Sequence, residues 1–167
     1  MLYIVLAVLM IVLDQAVKYW AFTSLQVQQT IPLIENVFHL TYVENRGAAF
    51  SMFAQFDSRW IFVALAVIIS IAIGVALYKG WMQNALGRWS LVLVGAGAIG
   101  NAIDRVIRGF VVDLFDFRLI HFPVFNVADV FICVGAVLFV IYFLFQHKDE
   151  KPADDSKQEP SERGRHE

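Results

Sequence analysis

Two acidic residues, Asp113 in Val111-Val112-Asp113 and Asp129 in Phe125-Asn126-Val127-Ala128-Asp129, lie sixteen positions apart in a mostly apolar chain. A carboxylate at a membrane is costly to keep, so two at one face point to chemistry more than to packing. If the two meet they cannot both ionise cheaply; one keeps a proton near neutral pH while the other stays anionic. Such a pair can hydrolyse a peptide bond, the anion removing a proton from water and the acid hydrogen-bonding the scissile carbonyl. The competing reading is a pair of turn or cap carboxylates, because Asp129 stands near a helix start where an acid is ordinary. Spacing alone leaves both open.

Other polar residues lie close by in the sequence. Asn126 precedes Asp129 by three residues and Asn101 precedes Asp104 by three, so each pair shares a face where the backbone is helical. Either asparagine could orient a carboxylate, donate to a substrate backbone, or satisfy an interhelical contact. Asp14 and Lys18 have i, i+4 spacing, which favours an ion pair over a headgroup contact by a snorkelling lysine. Asp104 and Arg108 are spaced the same way, whereas Arg105 points elsewhere. His39 and His121 are too isolated for a metal site, and no HExxH or GxSxG occurs, which disfavours a zinc peptidase and a nucleophile-elbow hydrolase. No metal or cofactor is expected. Gly95-Ala96-Gly97-Ala98-Ile99-Gly100 allows close helix approach; with no strand before it, it is not a nucleotide loop. Cys133 is the only cysteine, which rules out an intramolecular disulfide and suggests a small buried hydrophobe.

The elements that must position these residues follow from composition. With 59% hydrophobic and 17% charged residues, the chain is unlike a water-soluble domain. Four stretches approach the roughly 20 apolar residues that a crossing helix needs: 1 to about 22, 60–78, 89–103 and 130–145. The first lacks a basic start and a small-x-small cleavage pattern, and reads as a retained anchor. The expected fold is an all-α integral membrane protein with four transmembrane helices and a small β-element within residues 23–59, where Phe38, Leu40 and Tyr42 alternate with a mixed row. Residues 1–146 form one domain, and the charged tail 147–167 is expected to be disordered. A net charge of -2 without clustered basic residues implies no nucleic acid.

Four spans put both termini on one side and the connections 23–59 and 105–128 on the other. Asp14, Asp104, Asp113, Asp129 and the Asn45-Arg46 pair then converge at one face. A proton-coupled transporter would spread its acids over several depths, and a packing subunit would tolerate Asn at Asp113 and Asp129. Loop charges do not fix the orientation, because Arg46, Arg59, Arg105, Arg108 and Arg118 oppose only Lys79 and Arg88.

Five segments occur together and in order: Asp14-Gln15-x-x-Lys18, Asn45-Arg46-Gly47-Ala48-Ala49-Phe50, Gly97-Ala98-Ile99-Gly100-Asn101-x-x-Asp104-Arg105, Val111-Val112-Asp113 and Phe125-Asn126-x-Ala128-Asp129. In this combination the chain resembles the signal peptidase II family, the bacterial lipoprotein signal peptidases, over about residues 1 to 146. The resemblance implies a four-helix membrane aspartic peptidase of the cytoplasmic (inner) membrane. Both termini would be cytoplasmic, the site and β-element extracytoplasmic. It implies a catalytic dyad of Asp113 and Asp129, with Asp14, Lys18, Asn45, Gly47, Asn101, Asp104, Arg105 and Asn126 as supporting and substrate-contacting residues. The implied substrate is a diacylglyceryl-modified prolipoprotein, cut on the amino side of the lipidated cysteine. Membrane lipids are further partners, the cyclic peptide globomycin is the family's inhibitor, and a monomer is expected. Ala96, Leu114 and Val130 depart from residues common in the family, and Val130 bears on how the last helix is capped.

Overall fold

The computed structural model describes residues 1–47 and 59–146. Its apolar stretches are helical, as backbone in lipid requires, because every N–H and C=O there must be satisfied internally. Helices α1 (Leu2–Trp20), α2 (Arg59–Tyr78), α3 (Ala85–Ile107) and α4 (Val127–Gln146) are each long and apolar enough to cross a membrane. Three boundaries differ from expectation. A π-helical turn, Ala21–Leu25, and a last turn, Gln26–Gln28, carry α1 past Phe22. Helix α3 starts before Trp89 because the Asn84 side chain caps it, accepting from Gly87 N–H at 3.0 Å. Helix α4 starts at Val127, inside what was read as a connection. Motif residues 48–50 and the tail 147–167 lie outside the described residues.

Helix α3 is central, burying Gly95, Ala96, Gly97, Gly100, Asn101 and Asp104. A Cβ on Gly97 would meet the Ala128 carbonyl oxygen and come within 2.7 Å of the Ile132 side chain; one on Gly100 would lie 2.6 Å from Asp14 Oδ2. The small-residue run therefore does what its spacing suggests, letting α1 and α4 approach the α3 backbone. Gly97→Ala is expected to push α4 away and destabilise the protein by about 1–3 kcal/mol. Thermal unfolding in detergent measures this, and an unchanged midpoint would contradict it. Cys133 is exposed on α4, contrary to the buried position expected of it, so its thiol lies on an outward face of the bundle.

The β-element is larger than expected. Its antiparallel sheet has the order β1 (Thr30–Ile34), β2 (Phe38–Asn45), β3 (Val111–Phe117), so one strand comes from the α3–α4 connection, outside residues 23–59. That strand escaped the period-two test because Val111, Val112, Asp113 and Leu114 are all buried, leaving no alternation to read. Strand β1 tolerates Pro32 because it is an edge. Val112 and Leu114 pack on Ala21 and Leu25, so the continuation of α1 carries the sheet. Pairing of Val43 with Asp113 and of Asn45 with Val111 sets the end of β2 beside Asp113. Beyond β3 the chain folds back, Phe125 N–H donating to Phe115 O at 3.1 Å, which delivers Asn126 to the same place.

Candidate active site

Asn126 and Asp129 close the start of α4 reciprocally. Asp129 N–H donates to Asn126 Oδ1 at 3.0 Å, and Asn126 N–H donates to Asp129 Oδ2 at 3.1 Å, the pattern of a capping box. Val130 thus leaves the cap intact, and Asp129 is, as one reading had it, a cap carboxylate. It is also more than that. Asn126 Nδ2 donates to Asp113 Oδ1 at 2.7 Å, so a single asparagine holds both carboxylates, one by its side chain and one by its backbone.

The remaining carboxylate oxygens are also held. Asn45 Nδ2 donates to Asp113 Oδ2 at 3.0 Å, while Asn45 Oδ1 accepts from Gly47 N–H at 2.9 Å. Gly47 has φ +81°, a conformation that glycine adopts without steric cost, and its N–H fixes which end of the Asn45 amide faces Asp113. Asn101 Nδ2 donates to Asp129 Oδ1 at 2.8 Å. Its own oxygen accepts from Lys18 Nζ at 2.8 Å and from Asn126 Nδ2 at 3.2 Å, so donors on one side force the amide nitrogen toward Asp129.

Below this layer lies a buried charge cluster. Lys18, with no solvent exposure, places Nζ 3.0 Å from Asp14 Oδ2, 3.4 Å from Asp104 Oδ2 and 2.8 Å from Asn101 Oδ1, so each ammonium proton has an acceptor. Asp14 Oδ1 accepts from Ala128 N–H at 2.8 Å, tying α1 to the first turn of α4. Asp104 Oδ2 accepts from Val112 N–H at 3.1 Å, tying α3 to β3, and its other oxygen pairs with Arg108. Gln15, not singled out in the sequence, donates to Asp14 Oδ2 and to Gly100 O, each at 3.1 Å. A neutral amide beside an acid on one helix gives no signal from which this could be foreseen. Arg105 points away from Asp104: it donates to Asn101 O at 3.3 Å and lies over the Phe62 ring at 4.7 Å.

Asp113 is almost wholly buried and Asp129 half-buried. Burial pushes the Asp113 carboxyl up to about 6; the Asn126 and Asn45 donors oppose this and the charge of Asp129 adds to it. At the far end of β3 the opposite holds. Asp116 accepts from Thr41 and Arg118, which outweigh its desolvation and hold its carboxyl below the usual range. Thus two aspartates three residues apart on one strand have opposite proton affinities, and the one with raised affinity faces Asn126 and Asn45. All ten residues singled out as catalytic or supporting are described; nine lie in this hydrogen-bonded network, and Arg105 lies at its edge.

Residues 6–145 match the family described as signal peptidase (SPase) II. A lipoprotein signal peptidase of Clostridioides difficile (strain 630) is 49% identical over 87% of this chain and 96% of its own length. Another, of Microcystis aeruginosa, is 44% identical over 89% of this chain and 94% of its own. A solved bacterial membrane enzyme superposes with a TM-score of 0.80 at 30% identity, covering 91% of this chain and 93% of that one. With four apolar helices, the chain is a multi-pass membrane protein, and by these matches it belongs to the signal peptidase II family.

Proposed function

We propose that this protein is an aspartic endopeptidase that removes the signal peptide from diacylglyceryl-modified bacterial prolipoproteins, cutting on the amino side of the lipidated cysteine. The observation that carries the reading is Asn126, whose side chain and backbone hold Asp113 and Asp129 as one unit. Asp113, the more buried, takes the shared proton and hydrogen-bonds the scissile carbonyl; Asp129 accepts a proton as water attacks the carbonyl carbon. The tetrahedral intermediate collapses when that proton passes to the leaving amine, breaking the C–N bond and regenerating the singly protonated pair. Asp14, Lys18, Asn101, Asp104 and Asn126 position the dyad, while Asn45, Gly47 and Arg105 lie where a peptide backbone or glyceryl ester would sit. Two carboxylates and water suffice for this chemistry without a cofactor.

The enzyme works in the bacterial cytoplasmic (inner) membrane with both termini cytoplasmic and the dyad at the extracytoplasmic face. In support, α1 begins and α4 ends at the end of the bundle away from the sheet and Asp129. Membrane lipids surround it, a globomycin-type cyclic peptide competes for the site, and one chain supplies the whole dyad and its supports, consistent with a monomer. Incubating the protein in detergent with a diacylated prolipoprotein and sequencing the products by mass spectrometry tests the reading. The lipidated cysteine should become the new N-terminus; cleavage at another bond, or equal turnover of the unlipidated precursor, would overturn it.

The raised proton affinity of Asp113 fixes a pH dependence. As pH rises through about 6 the shared proton leaves the free enzyme, so kcat/KM should fall on that limb. Asn45→Ala removes a donor that favours the charged form, and is expected to move the limb to higher pH; a shift downward would contradict the assignment. Stability has the same sign. A carboxyl with raised folded-state affinity contributes stability fully present below its unfolded pKa of about 3.9, and this contribution is lost as pH climbs through about 6.

A further inference from the structure

We infer that the apolar furrow between α2 and α3 is the seat of one acyl chain of the substrate's diacylglyceryl group, an inference that rests on the prolipoprotein reading above. The furrow encloses about 510 Å³ and runs from Val63 and Ile107, near the dyad end of the helices, to Ser70 and Ile99. Among the described residues lining it Ser70 is the only polar side chain, and its hydroxyl donates to Ala66 O at 2.7 Å, leaving no free donor among them. Such a lining offers nothing to a peptide backbone and suits a hydrocarbon chain.

Its position relative to the dyad favours a chain attached to the substrate over one from the surrounding bilayer. Near its dyad end Arg105 lies over the ring of Phe62, four residues before the lining residue Ala66, and donates to the carbonyl of Asn101, next to the lining residue Ala102. The Asn101 side chain in turn donates to Asp129, so Arg105 and the dyad are joined through one residue. The guanidinium there suits the ester carbonyls of a glyceryl group, which must lie close to the cysteine and hence to the scissile bond. Length agrees too. From Val63 to Ser70 is about 10 Å at 1.5 Å per helical residue, most of one leaflet of a core about 30 Å thick. At Ser70 and Ile99 the furrow meets a second apolar cleft of about 350 Å³, bordered also by Tyr3, Ala7 and Leu77, into which a longer chain can continue.

The test is photo-crosslinking in vesicles of phosphatidylethanolamine and phosphatidylglycerol, using a diacylated prolipoprotein peptide with a diazirine midway along one acyl chain. Labelling should concentrate at Val67, Ser70, Ile99 and Ile103. A diazirine phospholipid should instead label the outward faces of all four helices. Identical patterns for the two probes, or substrate labelling confined to α1 and α4, would overturn the inference. As a second measurement, Val67→Trp fills the furrow and should raise KM for the diacylated substrate severalfold, because the displaced chain forfeits its packing on the furrow wall, with kcat little changed. An unchanged KM would also count against it. Labelling does not depend on turnover, so a wild-type protein that labels at the furrow without cutting would refute the peptidase reading and leave the furrow assignment standing.

Discussion

Asp113→Asn and Asp129→Asn are each expected to slow prolipoprotein cleavage by about 10³-fold or more, within the range that positioned general acids and bases contribute, while the protein stays folded. Asparagine matches aspartate in shape, so the packing around Val112 and Leu114 is undisturbed. In Asp113→Asn one of the donors from Asn45 and Asn126 would face an amide nitrogen, which costs about one hydrogen bond, ~1 kcal/mol. Above about pH 6, where Asp113 loses its proton, relief from burying that charge offsets this. In Asp129→Asn the oxygen of the new amide can still serve one of the two donors, Asn101 Nδ2 and Asn126 N–H. Asp129→Asn can no longer take a proton from water, and Asp113→Asn can no longer give one up to the developing oxyanion. Single-turnover cleavage beside thermal unfolding in the same detergent separates the two effects; near-normal turnover in either variant would remove that residue from the dyad.

Lys18→Met is expected to act through stability instead, with a loss of about 3–5 kcal/mol, typical when one partner of a buried ion pair is removed. Methionine is unbranched and flexible enough to fill the space. It cannot serve the three acceptors that converge on Nζ, and Asp14 and Asp104 would be left as buried carboxylates that have lost their shared cation. Converting Asp14 to asparagine in the same chain should recover much of the loss, because Asp104 still has Arg108 as its partner and no other buried carboxylate is left without a cation. Activity should fall even where the fold survives. Without Lys18 the Asn101 oxygen keeps only the longer Asn126 donor to orient the amide, whose nitrogen is what holds Asp129. Denaturant or thermal unfolding of the single and double variants checks this; a single variant as stable as wild type would contradict the cluster's role.

The four helices were legible because length and hydropathy alone decide whether a segment can cross a membrane, and an even number of spans left little choice of topology. Helix ends were less legible: the π turn after Trp20 and the Asn84 cap depend on local backbone bonds that hydropathy does not sense. Strand β3 was invisible for a different reason. It is buried on both faces and carries a carboxylate at Asp113, so its sequence follows neither alternation nor a plain apolar run. The convergence of Asp14, Asp104, Asp113 and Asp129 at one end of the bundle could be read from helix counting. Their division of labour could not. That division rests on which amide each carboxylate meets, and Asn101, Asn126 and Asn45 look alike as letters while their partners differ.

The most direct measurement of the central claim, that Asp113 and Asp129 activate water as one unit, is a double-mutant cycle on prolipoprotein cleavage with Asp113→Asn, Asp129→Asn and the double variant, each verified as folded. Residues that act together are strongly non-additive. The double variant should therefore be slower than the slower single variant by no more than a factor of about two, the usual additivity error of a few tenths of a kcal/mol. Losses that multiply, or a single variant that retains turnover, would show two independent carboxylates and contradict the account.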